Sequence, residues 1–433
     1  MNLKKALDRH FKIHERHSTI RQEIIGGITT FMTMAYIIFV NPAILSDAGM
    51  DRGALITVTT ISAAMGTLIA ALFANVPFAL APGMGLNAFF TYSLVIGRGI
   101  PWETALGIVF LSGVFFLLLS LGGIREKIAN AIPLSLKISV TGGIGLFIAF
   151  IGLKTLGVVT SNPATLVGIA KFSPEILIGI LGLFISVILE IRKVKGGILI
   201  GIVASTVIGM MTGYAEVPKQ IISLPPSIAP IAFKLDILGA LKLSLLGPAF
   251  SFMFVDLFDS LGTLIACSKE IGLTDRKGKV KDLGKMLYTD VISTIFGAFL
   301  GTSTVTTLSE TAAGIAAGAR TGLASVVTAG LFLMALFFTP IVAVVPAYAT
   351  APALIIVGVY MFRNICELDF KDFKTMFPAF ITILMMPLTY SISIGLALGF
   401  ISYIVIHLGT GEGHKINKTL YFIGALSVLS LVV

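Results

Sequence analysis

Residues 302–320 read TSTVTTLSETAAGIAAGAR, and residues 77–90 read PFALAPGMGLNAFF. Each lies in an apolar segment, yet each is a poor helix start. Thr302 to Thr307 is nearly all Ser and Thr, with Val305 between, and β-branched residues favour an extended backbone. From Glu310 onward the composition turns small and helical: Ala312, Ala313, Gly314, Ala316, Ala317, Gly318. The reading is a short extended piece feeding a half-helix, with unpaired amides aimed into a cavity. In the other stretch Pro82 and Gly83 break the chain, Gly85 permits close approach, and Asn87 stands at the start of the following helix. Irregular backbone survives at membrane depth only where protein or a cavity surrounds it.

The rest of the chain supplies that depth. Its 433 residues are 56% hydrophobic and 12% charged, against about 25% charged in soluble domains. The mean hydropathy is +0.98. A helix crosses the hydrocarbon core with about 20 apolar residues, and apolar stretches recur along the whole length. The first half gives spans at 23–45, 54–75, 78–97, 103–122, 133–158, 174–191 and 196–213. The second gives 238–267, 286–301, 303–320, 322–341, 346–364, 376–389 and 391–408. Residues 419–433 are short, and interfacial and spanning readings both stay open. Seven spans per half is odd, so two equal halves have opposite topology, an inverted repeat. The two broken stretches then open spans 3 and 10, at corresponding positions. Interrupted spans at matched positions point to a binding site.

The net charge of +9 does not indicate nucleic acid. Basic residues sit in short connectors: Lys4, Lys5, Arg9, Lys12, Arg16 and Arg21, then Arg192, Lys193 and Lys195, then Lys269, Arg276, Lys277, Lys279, Lys281 and Lys285. Short basic loops mark the cytoplasmic side, which puts the N-terminus there. The segment before the first span has no cleavage site, so it is not read as a signal peptide. Cys267 and Cys366 read as reduced thiols.

Three acids lie inside the apolar body: Glu310, and Asp256 and Asp259 in FMFVDLFDSLGTL (252–264). Ionisable groups in membrane spans are costly and mark function by default. Asp256 and Asp259, at i and i+3, share a helix face with Ser260 and Thr263. Carboxyls that gain and lose a proton are what proton coupling needs. Asn87 offers both a donor and an acceptor, which suits a heterocycle edge. Bland readings compete: Thr307-x-x-Glu310 fits a capping box, and Asn87 fits a helix cap. Lys154, Asp290 and Arg320 fall near span ends and read as structural. His14-Glu15-Arg16-His17 is not HExxH, and Gly272 to Lys279 lacks Walker A spacing. All five histidines lie at the chain ends. No metal site, cofactor or ATP-driven pump is expected. An intramembrane hydrolase would need its two aspartates on facing elements, and here they share one helix. The expectation is a transporter of a small polar molecule, with H+ as coupling ion.

Six motifs carry a family resemblance: GGITTFMTMAYIIFVNPAIL (26–45), FALAPGMGLNAFFTY (78–92), GGIGLFIAFIGLKTLGVV (142–159), FVDLFDSLGTL (254–264), GTSTVTTLSETAAGIAAGARTGL (301–323) and VPAYATAPALIIVGVYMF (345–362). The chain resembles the nucleobase–cation symporter-2 (nucleobase:ascorbate transporter) superfamily, in its adenine/guanine/hypoxanthine permease branch. The resemblance implies an all-α polytopic fold of 14 transmembrane segments in 7+7 inverted repeats. It implies a cytoplasmic N-terminal segment (1–22), a core domain (23–132 and 238–341) and a gate domain (133–215 and 342–408). Residues 409–433 form a C-terminal segment. It implies an importer of purine nucleobases in the cell membrane, and a homodimer. The purine would sit between spans 3, 8 and 10, contacted by Asn87, Asp256 and Glu310, with Gly85 and Ser309 beside it. Asp259 would serve transport more than binding. Leu308 and Ser309 stand where the family often has an aromatic–aliphatic pair, which changes the pocket wall. Another substrate on the same fold, such as a pyrimidine, xanthine, urate or an inorganic anion, is the alternative.

Overall fold

A computed structural model describes residues 3–121, 132–242, 245–274, 280–369 and 371–432. Arg276, Lys277, Lys279 and the last residue of the expected span 4 lie outside the described residues. Among the described residues, nine helices are long and apolar enough to cross a membrane, by length and composition: Ile20–Ser46, Arg52–Ala74, Leu134–Leu156, Pro174–Ile191, Gly247–Glu270, Leu283–Leu300, Gly322–Ala343, Ala347–Glu367 and Ile392–Gly409. Four shorter apolar helices, Met84–Ile96, Trp102–Leu118, Gly197–Thr212 and Phe373–Thr389, occupy the places of spans 3, 4, 7 and 13. Span 10 is strand Val305–Thr307 followed by helix Thr311–Ala316. Every expected span therefore has its element, and the fold is an all-α polytopic membrane bundle.

Two features depart most from expectation. Span 8 begins at Leu246 rather than 238. Ile237–Ala240 is a separate short helix, capped by Asp236, whose carboxylate accepts from the Gly239 amide at 2.8 Å. The Asp236 amide in turn donates to the Glu103 carbonyl of span 4. Hydropathy runs on through this break, so only the tertiary contact reveals it. After span 5, Val159–Asn162 and Leu166–Ile169 pair as an antiparallel hairpin. Its turn is held by Asn162 Oδ1, which accepts from the Ala164 and Thr165 amides. The C-terminal helix Lys418–Val432 packs on spans 14 and 8, with Leu420 and Ile423 buried.

The two broken spans meet. Strand β1 (Leu80–Pro82) pairs antiparallel with β4 (Val305–Thr307), the hairpin strands being β2 and β3. Leu80 faces Thr307 and Pro82 faces Val305. The Gly83 amide donates to the Thr304 carbonyl at 3.0 Å, and the Leu308 amide to Ala79 at 3.1 Å. A two-stranded ribbon leaves two open edges, which are costly away from water. Here a threonine hydroxyl from the preceding span closes each edge. Thr67 of span 2 accepts from the Leu80 amide at 2.9 Å and donates to the Leu80 carbonyl at 3.1 Å. Thr294 of span 9 does the same to Val305, at 3.2 and 3.1 Å. The device is the same in both halves. Gly66 and Gly297 let these helices approach: a Cβ on either would lie 3.1 Å or 2.7 Å from a Val305 methyl carbon.

The most extensive helix packing links spans 5, 12, 13 and 14, and spans 6, 7 and 12. It also links spans 1, 2 and 11, and spans 4 and 9. The N-terminal segment docks on the group of spans 1, 2 and 11. Arg16 donates to the carbonyls of Asn75 and Arg320 at 2.7 and 3.2 Å. Glu23, fully buried, accepts from the Arg320 and Thr321 amides and so caps the start of span 11.

Candidate functional site

The ribbon places side chains from five spans around one centre. Glu310 stands three residues after the last residue of β4, at the cap of the short helix Thr311–Ala316. Tyr36, at an interruption in span 1 between Met34 and Ile37, donates its hydroxyl to Glu310 Oε1. Ser309 Oγ donates to Glu310 Oε2 at 3.2 Å. Thr33, one turn before Tyr36, reaches the Glu310 carbonyl at 3.5 Å. Ser309 is exposed and Glu310 is half-buried, so the carboxylate borders open space.

The capping-box reading of Glu310 does not hold. Thr307 lies in the strand, and its hydroxyl donates to Asp290 Oδ1 at 2.8 Å. Glu310 occupies the cap position of the short helix but makes no side-chain cap bond. The span-end reading of Asp290 fails too: it is fully buried within helix Leu283–Leu300, against the ribbon. Arg320 is structural as read; its guanidinium donates to the carbonyls of Ile315 and Ala319, each at 2.7 Å. Lys154 stands over the Tyr390 ring, 5.1 Å from its centroid.

Span 8 runs beside β4. Ser260 and Thr306 share a hydroxyl hydrogen bond of 2.7 Å. One turn earlier Asp256 is buried; Asp259 is half-buried, with Glu310 and Asp290 as its acidic neighbours. The polar stripe read from the sequence therefore faces the ribbon.

Asn87 belongs to a second, closed network. Its amide donates to Asn41 Oδ1 at 2.6 Å, and Ser303 Oγ donates to its carbonyl oxygen. Asn41 in turn donates to Thr59 at 2.7 Å and Thr302 at 3.2 Å. All five side chains are buried. The cap reading of Asn87 is overturned, since Gly83 takes the cap position. Asn87 instead ties span 3 to spans 1 and 10. Gly85 faces away from the acids: a Cβ there would lie 2.7 Å from Ile144 of span 5. Its smallness lets span 3 approach span 5.

Sequence reasoning missed Tyr36, Asn41 and Asp290 as members of the centre. Asn41 and Asp290 carried a readable signal, a polar group inside an apolar run. Tyr36 carried none, because a tyrosine in a span reads as apolar until its partner is known. Among the described residues no group of three or more His, Cys, Asp and Glu side chains could hold a metal ion.

A helical bundle whose two broken spans cross at a buried polar centre, ringed by acids, defines a membrane transport protein. The permease family Xan_ur_permease matches residues 21–398. The chain is 50% identical over 429 residues to a putative permease of Methanocaldococcus jannaschii, covering 99% of this chain and 98% of the relative. It is 45% identical over 427 residues to the adenine permease AdeP of Escherichia coli, with 98% and 96% covered. It is 43% identical over 434 residues to the guanine/hypoxanthine permease PbuG of Bacillus subtilis, with 98% of each covered. Among solved structures it is similar to the transmembrane domain of the cyanobacterial bicarbonate transporter BicA. That likeness has a TM-score of 0.66 at 17% identity, over 88% of this chain and 97% of that one, and it concerns the fold. This chain belongs to the nucleobase:ascorbate transporter family of permeases.

Proposed function

We propose that this protein is a proton symporter that imports purine nucleobases across the cell membrane by alternating access. The observation that carries the proposal is the placement of Glu310. Its carboxylate stands where an extended strand turns into a helix, beside Asp259, and borders open space. A purine edge presents N–H donors and ring-nitrogen acceptors. Glu310 accepts from the N–H groups, and Ser309 and Asp256 complete the polar wall. Asn87 and Gly85 hold span 3 in place rather than exposing polar atoms in this arrangement. A proton on the Asp256/Asp259/Glu310 set, together with a neutral purine, lowers the net charge that must cross the barrier. The relatives named for adenine, guanine and hypoxanthine support purines as the substrate class.

In this reading spans 1–4 and 8–11 form the core and spans 5–7 and 12–14 the gate, and the core moves against the gate. The N-terminus lies in the cytoplasm, and two copies associate through gate helices. An inorganic anion is the rival substrate, because the solved neighbours include a bicarbonate transporter of this fold. The acids around the centre would repel it.

The test is uptake of labelled adenine, hypoxanthine, guanine and uracil by purified protein in liposomes with an alkaline interior. Purine accumulation abolished by a protonophore is the expected result. Sulfate or bicarbonate uptake without purine uptake, by folded protein, would overturn the proposal.

A further inference from the structure

A second tyrosine–carboxylate pair lies outside the acids discussed so far. Tyr360, near the end of span 12, donates its hydroxyl to Glu190 Oε2 at 2.5 Å. Glu190 closes span 6 (Pro174–Ile191). Its other oxygen rests over the first residue of span 7, where a Cβ on Gly197 would meet Glu190 Oε1 at 2.9 Å. The amide end of helix Gly197–Thr212 thus lies beside the carboxylate.

This pair lies within electrostatic reach of the first one. Glu190 is a charged neighbour of Glu310, and Glu190 and Tyr360 are both neighbours of Tyr36. The connector after Glu190 closes onto span 1: Lys195 Nζ donates to Thr29 Oγ1 at 3.2 Å, and Gly196 packs on the Met32 carbonyl. One turn along span 1, Thr33 reaches the Glu310 carbonyl. Glu190 and Tyr360 also line a cavity of about 320 Å³ whose remaining wall is apolar, including Leu183, Phe184, Val187 and Val359. Other groups bear on Glu190. Arg192, Lys193 and Lys195 follow it in the connector. Span 7 has no titratable side chain, span 12 brings Tyr348 and Tyr360, and span 5 brings Lys137 and Lys154. Span 1 brings Tyr36, and span 10 brings Glu310.

We propose that Glu190 is the proton-release carboxylate of the transport cycle, with Tyr360 as its positioning residue. The inference rests on the symport reading. When the purine leaves, the Glu310 carboxylic acid loses its proton and the Glu190 carboxylate gains it, through the Tyr36 and Tyr360 hydroxyls and water. The Glu190 acid then gives the proton to water on the side of the basic connectors and returns to carboxylate.

Two assays on Glu190→Gln in proteoliposomes test this. The first is net purine accumulation driven by a pH gradient. The second is purine counterflow, with substrate on both sides and no net proton release. The expected result is accumulation about 100-fold slower, the lower edge of what a positioned proton-transfer group contributes, with counterflow near wild type. Tyr360→Phe should show a weaker form of the same split, and Glu190→Asp should restore much of the accumulation. Wild-type accumulation by Glu190→Gln, or equal loss of both assays, would overturn the assignment. Failure of the symport reading is distinguishable, because the unmodified protein would then accumulate no purine under the same gradient.

Discussion

In the proposed cycle, recognition and coupling converge on Glu310. Its two oxygens are shared between Tyr36 and Ser309, and its backbone carbonyl meets Thr33. A carboxylate that accepts from a ligand N–H contributes about 1.5–3 kcal/mol more than a lost contact. Glu310→Gln keeps an acceptor for Tyr36 but loses the charge and the transferable proton. We expect purine affinity to fall about 10- to 100-fold, and the uptake that remains to lose its dependence on the pH gradient. Equilibrium binding and uptake at several pH values check both; wild-type affinity with wild-type coupling would remove Glu310 from the mechanism. Asp256, Asp259 and Glu310 were legible in the sequence because acids at that depth are costly. Asn87 was legible as a special residue but not for its partners. Asn41 and Ser303 come from distant parts of the chain, and no local pattern reports that convergence.

Among the elements, the broken spans were readable and their pairing was not. Pro82-Gly83 and the Thr-rich run announce extended backbone. That β1 and β4 bond to each other, with Thr67 and Thr294 sealing the edges, depends on a crossing that sequence spacing does not encode. The start of span 8 was misplaced for a related reason, since an apolar run can turn without losing hydropathy. The connector after span 14 gives a prediction at this scale. Glu412 is held by Lys374, from the start of span 13, and by Lys415. These two ammonium groups keep its carboxyl below the ordinary value of 4.5. A depressed folded value means the tie is fully present above pH 4.5 and is lost as pH falls through the lower folded value. Hydrogen exchange in residues 410–418 should therefore rise on acidification below that point. In Glu412→Gln it should be raised already at neutral pH and respond little to acid. Unchanged exchange in that variant would show that the tie does not order the connector.

For the molecule as a whole, the proposed cycle requires the two groups of spans to slide past each other. The basic connector between spans 6 and 7 now rests on span 1 through Lys195, Thr29, Gly196 and Met32. Fixing that contact should stop the cycle while leaving the centre intact. A Met32→Cys, Lys195→Cys protein with Cys366→Ser, joined by a cleavable bifunctional thiol reagent, should lose uptake, keep purine binding and recover on cleavage. Native Cys267 is buried and can stay. Uptake undiminished by the link would argue against motion at this contact. The β1–β4 ribbon has a consequence for how such a protein is made. Each strand finds its backbone partner only in the opposite half of the chain, so the first half enters the bilayer with Leu80 to Pro82 unpaired along one edge. During synthesis that edge must wait for Val305 to Thr307 to emerge. A chain truncated before them would expose bare peptide groups to lipid, which makes the ribbon a built-in check that biogenesis has gone to completion.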